Sequence, residues 1–452
     1  MDWFASIISS LNNILWSYIL IGLLICVGLW FTFCTRFVQI SNVREMFRCV
    51  LEGSRTPRPE GHISPFQAFC ISTASRVGVG NIAGIAIAVV TGGPGAIFWM
   101  WVIATLGAAS GFIESTLAQI YKVKKPGGGF MGGPAYYIKN ALGSPFWAGV
   151  FAVLISVTYA LIFNSVQANT ISLSIETTTG LKPAYTGLIL AIVTGLVIFG
   201  GMTRIAKVAS FMVPFMAGAY LLLAFVVTCM NITEVPRVLL MIVTKAFSFD
   251  SITGAAIGVA LMTGIKRGLF SNEAGMGSTP HAHAVAKVEH PAEQGLVAIF
   301  GVFATLIVVT FTGIVILVTG VLDFQSTGIA LTQKAYNVGL GSFGVSFVAI
   351  CLFFFAYSTI IGWYFFAEQN VRFLFSEKAL LPYRVIVCAF IIVGATLKVD
   401  LVWALADLFN GLMVIPNLIA LIALHKVVGN CLDDFEAKLA KYEKTQQNIS
   451  HS

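Results

Sequence analysis

Charge is what this chain has least of. Only 10% of its 452 residues are Asp, Glu, Lys or Arg, against roughly 25% in an ordinary soluble domain. Together with 57% hydrophobic residues and a mean hydropathy of +0.88, that scarcity excludes a soluble globular protein. What remains is an all-α polytopic membrane protein. The eight cysteines fall in no C-x-x-C pair and no Cys/His ligand spacing, so no disulfide and no structural zinc are expected. A phosphate loop would need G-K-[ST], and a metalloprotease helix H-E-x-x-H; the chain has neither. With no usable nucleophile, base or metal constellation and no stretch free for a soluble catalytic domain, an enzyme is not expected. No organic cofactor is expected either. The first thirteen residues hold no Lys or Arg, so the apolar run Ile14–Phe33 lacks the basic start of a signal peptide and reads as a retained span.

What is present is a series of apolar runs. After the first, they fall at about Pro65–Val90, Gly95–Tyr121, Trp147–Ile175, Tyr185–Met202, Arg204–Met230, Thr253–Ala286, Gly295–Gly320, Phe343–Phe375, Arg384–Leu397 and Leu401–Val428. That predicts eleven transmembrane helices, each near the length that crosses roughly 30 Å of hydrocarbon at about 1.5 Å per residue. The net charge of +7 sits in short loops, which points to topology and membrane lipid rather than to nucleic acid. Basic residues crowd the loops after the odd-numbered spans, as in Arg36, Arg44, Arg48, Arg55 and Arg58, while the alternate loops hold only Lys182, Arg237, Lys245, Lys334 and Lys398. By the positive-inside rule the N-terminus is outside and the C-terminus cytoplasmic. The tail D-D-F-E-A-K-L-A-K-Y-E-K reads as a short polar cytoplasmic helix that frays.

Two of the spans are interrupted. In the second, Ser72, Thr73, Ser75, Arg76, Gly78, Gly80 and Asn81 stand where Leu and Ile belong, and unwound backbone at that depth is tolerated only where it meets protein or a watery cavity. The seventh, five spans later and so running the opposite way, is broken from Gly268 to Gly277. Paired breaks of this kind point to an inverted-repeat secondary transporter with its site at the repeat interface. The division is then an extra N-terminal helix (1–34), a first five-helix repeat (35–231), a second (232–428) and a tail (429–452).

At the first break, N–H groups released around Gly78, Gly80 and Asn81 suit a substrate carboxylate. Carbonyls released at Ala74, Ser75, Val77 and Gly78 suit Na⁺. The same glycines could instead serve only close helix packing. At the second break Phe270 offers an apolar wall, with Asn272 and Glu273 beside it; Lys266 and Arg267 either pair with Glu273 or another acid, or take part in gating. Span four carries Asn164, Gln167 and Asn169, which must face polar partners. In span nine, Ser358 and Thr359 could complete a cation shell, or merely bond the carbonyl one turn back, and Trp363 could close a pocket around a small side chain. Asp407 in the last span has Arg76 as its expected ion-pair partner, with proton coupling, or Arg76 clamping a carboxylate, as alternatives. His281, His283, Glu289 and His290 read as a solvated loop, G-G-G-F-M-G-G-P (Gly127 to Pro134) as a hinge, and Glu114 as a partner of loop cations.

The stretches A-S-R-V-G-V-G-N-I-A-G-I-A-I-A (Ala74–Ala88), G-G-P-G-A-I-F-W-M-W (Gly92–Trp101), G-G-P-A-Y-Y-I (Gly132–Ile138), G-L-F-S-N-E-A-G-M-G-S (Gly268–Ser278) and S-T-I-I-G-W-Y (Ser358–Tyr364) closely resemble the alanine or glycine:cation symporter family. The resemblance runs, in order, from the loop before span two to the end of span eleven. It implies sodium-coupled symport of alanine or glycine across a bacterial inner membrane, on a leucine-transporter-type 5+5 inverted repeat working by alternating access. It also implies substrate contacts from Gly78, Gly80, Gln167, Phe270, Asn272, Thr359 and Trp363. The family usually has Thr where Val79 stands, and smaller or apolar residues in place of Thr279 and His281.

Overall fold

In a computed structural model the described residues are 2–55, 63–125, 128–247, 257–322 and 326–450. Arg58, Gly127 and Thr253, which carry sequence expectations above, lie outside them. The described chain is helical apart from a two-stranded hairpin, β1 (Val123–Lys124) and β2 (Phe130–Met131), paired Val123 to Met131. That hairpin is what the glycine-rich stretch expected as a hinge contributes to.

The helices are α1 (Asp2–Ile14), joined by a π-helical turn to α2 (Ile21–Cys34), then α3 (Val38–Ser41), α4 (Val43–Arg55), α5 (Pro65–Arg76), α6 (Ala83–Gly92) and α7 (Gly95–Ile120). They continue with α8 (Pro134–Ala141), α9 (Pro145–Val157), α10 (Asn164–Thr179), α11 (Pro183–Ile198), α12 (Gly201–Met230) and α13 (Val235–Lys245). The last are α14 (Ile257–Asn272), α15 (Pro280–Ala284), α16 (Pro291–Val318), α17 (Gly328–Phe375), α18 (Leu380–Thr396) and α19 (Val399–Ser450). Among the described residues eight helices are long and apolar enough to cross a membrane, so the chain is a multi-pass membrane protein. The three remaining expected spans are short for a physical reason. Two are cut by the breaks into α5/α6 and α14/α15, and the third, α11, is 16 residues long.

Local sequence explains the ends that matter. Ser64 caps α5 in a reciprocal capping box with Gln67, and Pro65 takes the first helical position. The helix stops after Arg76; Val77 and Gly78 are non-helical, Val79–Asn81 make one 3-10 turn, and α6 starts at Ala83. The second break begins later than expected, at Glu273 rather than Gly268. Gly268 lies inside α14 and serves packing, since a Cβ there would stand 2.5 Å from Ile103. Beyond Asn272 the chain turns through Glu273, Gly275 and Gly277, all at positive φ (54°, 83° and 80°). Only glycine occupies that region without cost.

Helix α7 runs along α14, α16 and α2, and α17 packs against α5, α9, α10 and α12, so both breaks are enclosed. The short helices α3, α4, α8 and α13 lie outside the expected spans, and two of them pack on the spans. One is α4, and the other is α13, whose end packs so close to α7 that a Cβ on Gly95 would meet the Lys245 backbone. The tail is not a short fraying helix but the continuation of α19, with Leu432 and Phe435 buried. It docks through Asp434, which accepts from His290 Nε2 at 3.1 Å, and through Asp433 and Glu436 on Arg36.

Candidate functional site

Three elements converge where α5 unwinds: the first break, the second break and the middle of α17. Gly78 is extended (φ −126°, ψ −154°), and a Cβ on it would lie 2.5 Å from Thr359 Oγ1 and 3.2 Å from Gln167 Oε1. A Cβ on Gly80 would lie 2.9 Å from the Phe270 ring. The glycines are thus needed for close approach as well as for the break. Val79 N–H donates to Gln167 Oε1 at 3.2 Å. Thr359 Oγ1 donates to the Ala74 carbonyl at 2.7 Å and lies 2.8 Å from that of Phe355. Ala74, Gly78, Gln167 and Thr359 therefore meet.

Ser358 does not join them. Its hydroxyl bonds the Phe355 carbonyl at 2.9 Å and faces Met216 of α12, because neighbouring helix positions point about 100° apart and cannot share a face. Ser75 contributes through its side chain to a different cluster. Its Oγ donates to Ser72 O at 2.8 Å and lies 3.1 Å from Glu273 Oε2. Glu273 also accepts from Ser278 Oγ at 2.8 Å and from Trp363 Nε1 at 2.5 Å, so this one carboxylate links both breaks to α17. It is not paired with Lys266 or Arg267.

The apolar wall is aromatic. Phe270 has Phe163 at 4.9 Å, Trp403 at 5.1 Å and Trp363 at 5.9 Å between ring centroids. Asn81 spends its amide inside the protein, its Nδ2 donating to Arg76 O at 2.9 Å and its Oδ1 accepting from Ser271 Oγ. Asn272 Oδ1 accepts from Ala274 N–H at 2.9 Å. Asn272 Nδ2 and Gln167 Nε2 are buried donors with no partner among the described residues. Gln167, Thr359, Trp363, Phe270 and Asn272 are all buried, so the site is closed.

The expected Arg76–Asp407 pair is overturned. Arg76 is buried with its Nη1 on Ala298 O and its Nη2 on Thr279 Oγ1, both at 2.9 Å, because the end of α5 faces α15 and α16. Asp407 lies elsewhere, on α19, where Arg267 bonds it directly and Lys266 Nζ stands 3.8 Å away. The Arg267 guanidinium also rests 4.6 Å from the Trp403 ring centre, a cation–π contact. His281 and His283 are not in a solvated loop but fully buried. His281 sits between Ser278 O and Asn370, and His283 between Gln294 and Ser72. No group of three metal-ligating side chains occurs among the described residues.

Glu114 has partners other than the loop cations expected of it. It meets no loop cation; it is fully buried and accepts from Gly275 N–H at 3.2 Å, Gly277 N–H at 3.0 Å and Asn417 Nδ2 at 3.1 Å. Asn417 in turn donates to Gly275 O at 2.9 Å and accepts from Tyr137. The orphaned amides of the second break are thus claimed by an acid from α7. The available signal was the acid's place inside a span together with two glycines two residues apart in the break. Lower on α17, buried Glu368 holds Arg372 at 2.6 Å and has Arg384 at 3.6 Å.

A family model described as "Sodium:alanine symporter family" matches residues 1–449. The chain is 50% identical over 432 residues, covering 95% of itself and 90% of the relative, to the "Probable sodium/glutamine symporter GlnT" of Bacillus subtilis. It is 39% identical, with 94% and 96% covered, to the "Sodium/alanine symporter AgcS" of Methanococcus maripaludis. Among solved structures it shares the fold of MhsT, crystallised with L-phenylalanine, with a TM-score of 0.61 over 81% of this chain and 90% of that one at 16% identity. The family and both sequence relatives are named for symport, and cation-coupled amino acid transport, not catalysis, is the activity they support. The chain belongs to the sodium:alanine symporter family.

Proposed function

We propose that this chain couples the inward flow of Na⁺ to uptake of small neutral amino acids, alanine and glycine first. It would work by alternating access across a bacterial inner membrane, N-terminus outside and C-terminus cytoplasmic. In this reading α5/α6 and α14/α15 are the broken helices of a leucine-transporter-type 5+5 inverted repeat, and eleven helices span the membrane. The observation that carries it is the meeting of Gly78, Gly80, Gln167, Phe270, Thr359 and Trp363 at two unwound segments. Gln167 Nε2 and Asn272 Nδ2 are free to donate to a substrate carboxylate, Phe270 and Trp363 limit its side chain, and Na⁺ takes the Ala74 and Gly78 carbonyls with Thr359 Oγ1. The relative named for glutamine adds that amino acid as a second substrate.

The test is uptake of labelled alanine by proteoliposomes, with an inward Na⁺ gradient and then with a proton gradient in Na⁺-free buffer. Accumulation that needs Na⁺ supports the reading. Accumulation with protons alone replaces it with a proton-coupled symporter, and flux that only equilibrates makes the protein a channel.

A further inference from the structure

Among the side-chain amides of the described residues, Asn410 alone has both its N–H₂ and its oxygen buried and without a partner. Its exposure is 0%, and each unmet group of that kind carries its full desolvation penalty. Its place on α19 says what it faces. Trp403, Asp407, Asn410 and Asn417 recur at three- and four-residue spacing and so share one face of the helix. The other three all touch the second broken helix: Trp403 against Phe270, Asp407 against Arg267, and Asn417 against the Gly275 carbonyl. At about 1.5 Å per residue, Asn410 stands one turn beyond Asp407 and two turns before Asn417. It therefore lies midway between the two residues of this face that touch Phe270 and Gly275, on either side of the point where α14 unwinds.

We propose that Asn410 is a side-chain subsite of the transport pocket, taking the carboxamide of glutamine in a reciprocal amide pair beside Phe270. The proposal rests on the transport reading above and adds the residue that would recognise the longer substrate. A carboxamide offers one acceptor and N–H donors, the complement of Asn410 Nδ2 and Oδ1. A hydroxyl has one hydrogen to give, a carboxylate sets oxygen against Oδ1, and an ammonium sets N–H against Nδ2. Water can meet both atoms when the substrate is alanine, so the small substrate is not excluded.

The experiment is competition in proteoliposomes: labelled alanine uptake against unlabelled glutamine, glutamate and alanine, in wild type and in Asn410→Leu, which keeps the branched shape and removes both polar atoms. Glutamine is expected to compete in wild type, better than glutamate. In Asn410→Leu the glutamine half-inhibitory concentration should rise about tenfold relative to that of alanine, the effect of one lost buried hydrogen-bonding partner. An unchanged ratio, glutamate competing as well as glutamine, or alanine uptake that glutamine does not touch would each overturn the proposal. Should wild type accumulate no alanine, it is the transport reading that fails. Glutamine-induced thermal stabilisation of the detergent-solubilised protein, present in wild type and lost in Asn410→Leu, then decides for or against the subsite by itself. Should Asn410→Leu not fold, Asn410→Ser carries the same comparison.

Discussion

At Gly78 a single hydrogen atom separates a working site from a blocked one. A methyl there would meet Thr359 Oγ1 at 2.5 Å, inside contact distance. Gly78→Ala is therefore expected to abolish alanine uptake while leaving the protein monodisperse by gel filtration; a wild-type uptake rate would show that the two elements do not close on each other as described. Trp363 is a second single-residue case. Trp363→Phe keeps a ring against Phe163 and Phe270 but removes the indole N–H from buried Glu273. The loss should cost about 1–3 kcal/mol, read as a lowered thermal midpoint. Residues of this kind were legible in the sequence because a polar side chain or a glycine in an apolar run is costly unless it has a task. Their partners were not legible. Which of Ser358 and Thr359 faces the break depends on helix phase, and Arg76 met α15 and α16 rather than Asp407 because linear sequence does not say which neighbour covers a helix end.

For the broken helices, position could be read and upkeep could not. Both breaks were located from glycines and polar residues. The start of the second was misplaced, because Gly268 looks the same in a sequence whether it unwinds a helix or lets α7 approach it. The clasp on the second break, Glu114 with Asn417, was out of reach for the same reason that α4 and α13 were: each depends on what packs against the element. Glu114→Gln gives the clasp a test. A carboxamide has one acceptor oxygen where the carboxylate has two, so one of the Gly275 and Gly277 N–H groups would face an N–H₂ instead. Destabilisation of about 1–3 kcal/mol is expected, together with slowed uptake. Exposed Glu289→Gln should stay within about 0.5 kcal/mol of wild type. Equal behaviour of the two variants in thermal unfolding would remove Glu114 from the upkeep of the break.

Over the whole molecule, side chains of α19 reach the second broken helix on both sides of its break. Helix α19 holds Arg267 and Phe270 before the break, through Asp407 and Trp403, and Gly275 within it, through Asn417. Further on, its tail is fastened to His290 and Arg36. The Arg267–Asp407 contact ties α14 to α19. Reversing one partner sets like charges together at this contact, offset only by Lys266 at 3.8 Å in the first case, and breaking a buried pair typically costs about 3–5 kcal/mol, so Arg267→Asp and Asp407→Arg alone should each abolish uptake and lower the yield of folded protein. The exchanged double variant, Arg267→Asp with Asp407→Arg, restores opposite charges at one contact and is expected to recover part of both. The exchange Arg76→Asp with Asp407→Arg should recover neither, because those side chains face different helices. Uptake and folded yield measured on all the variants distinguish the two pairings: rescue through Arg76 would mean that α5 reaches α19 in some state of the cycle, and rescue through Arg267 alone would establish that α14 and α19 are joined by this pair.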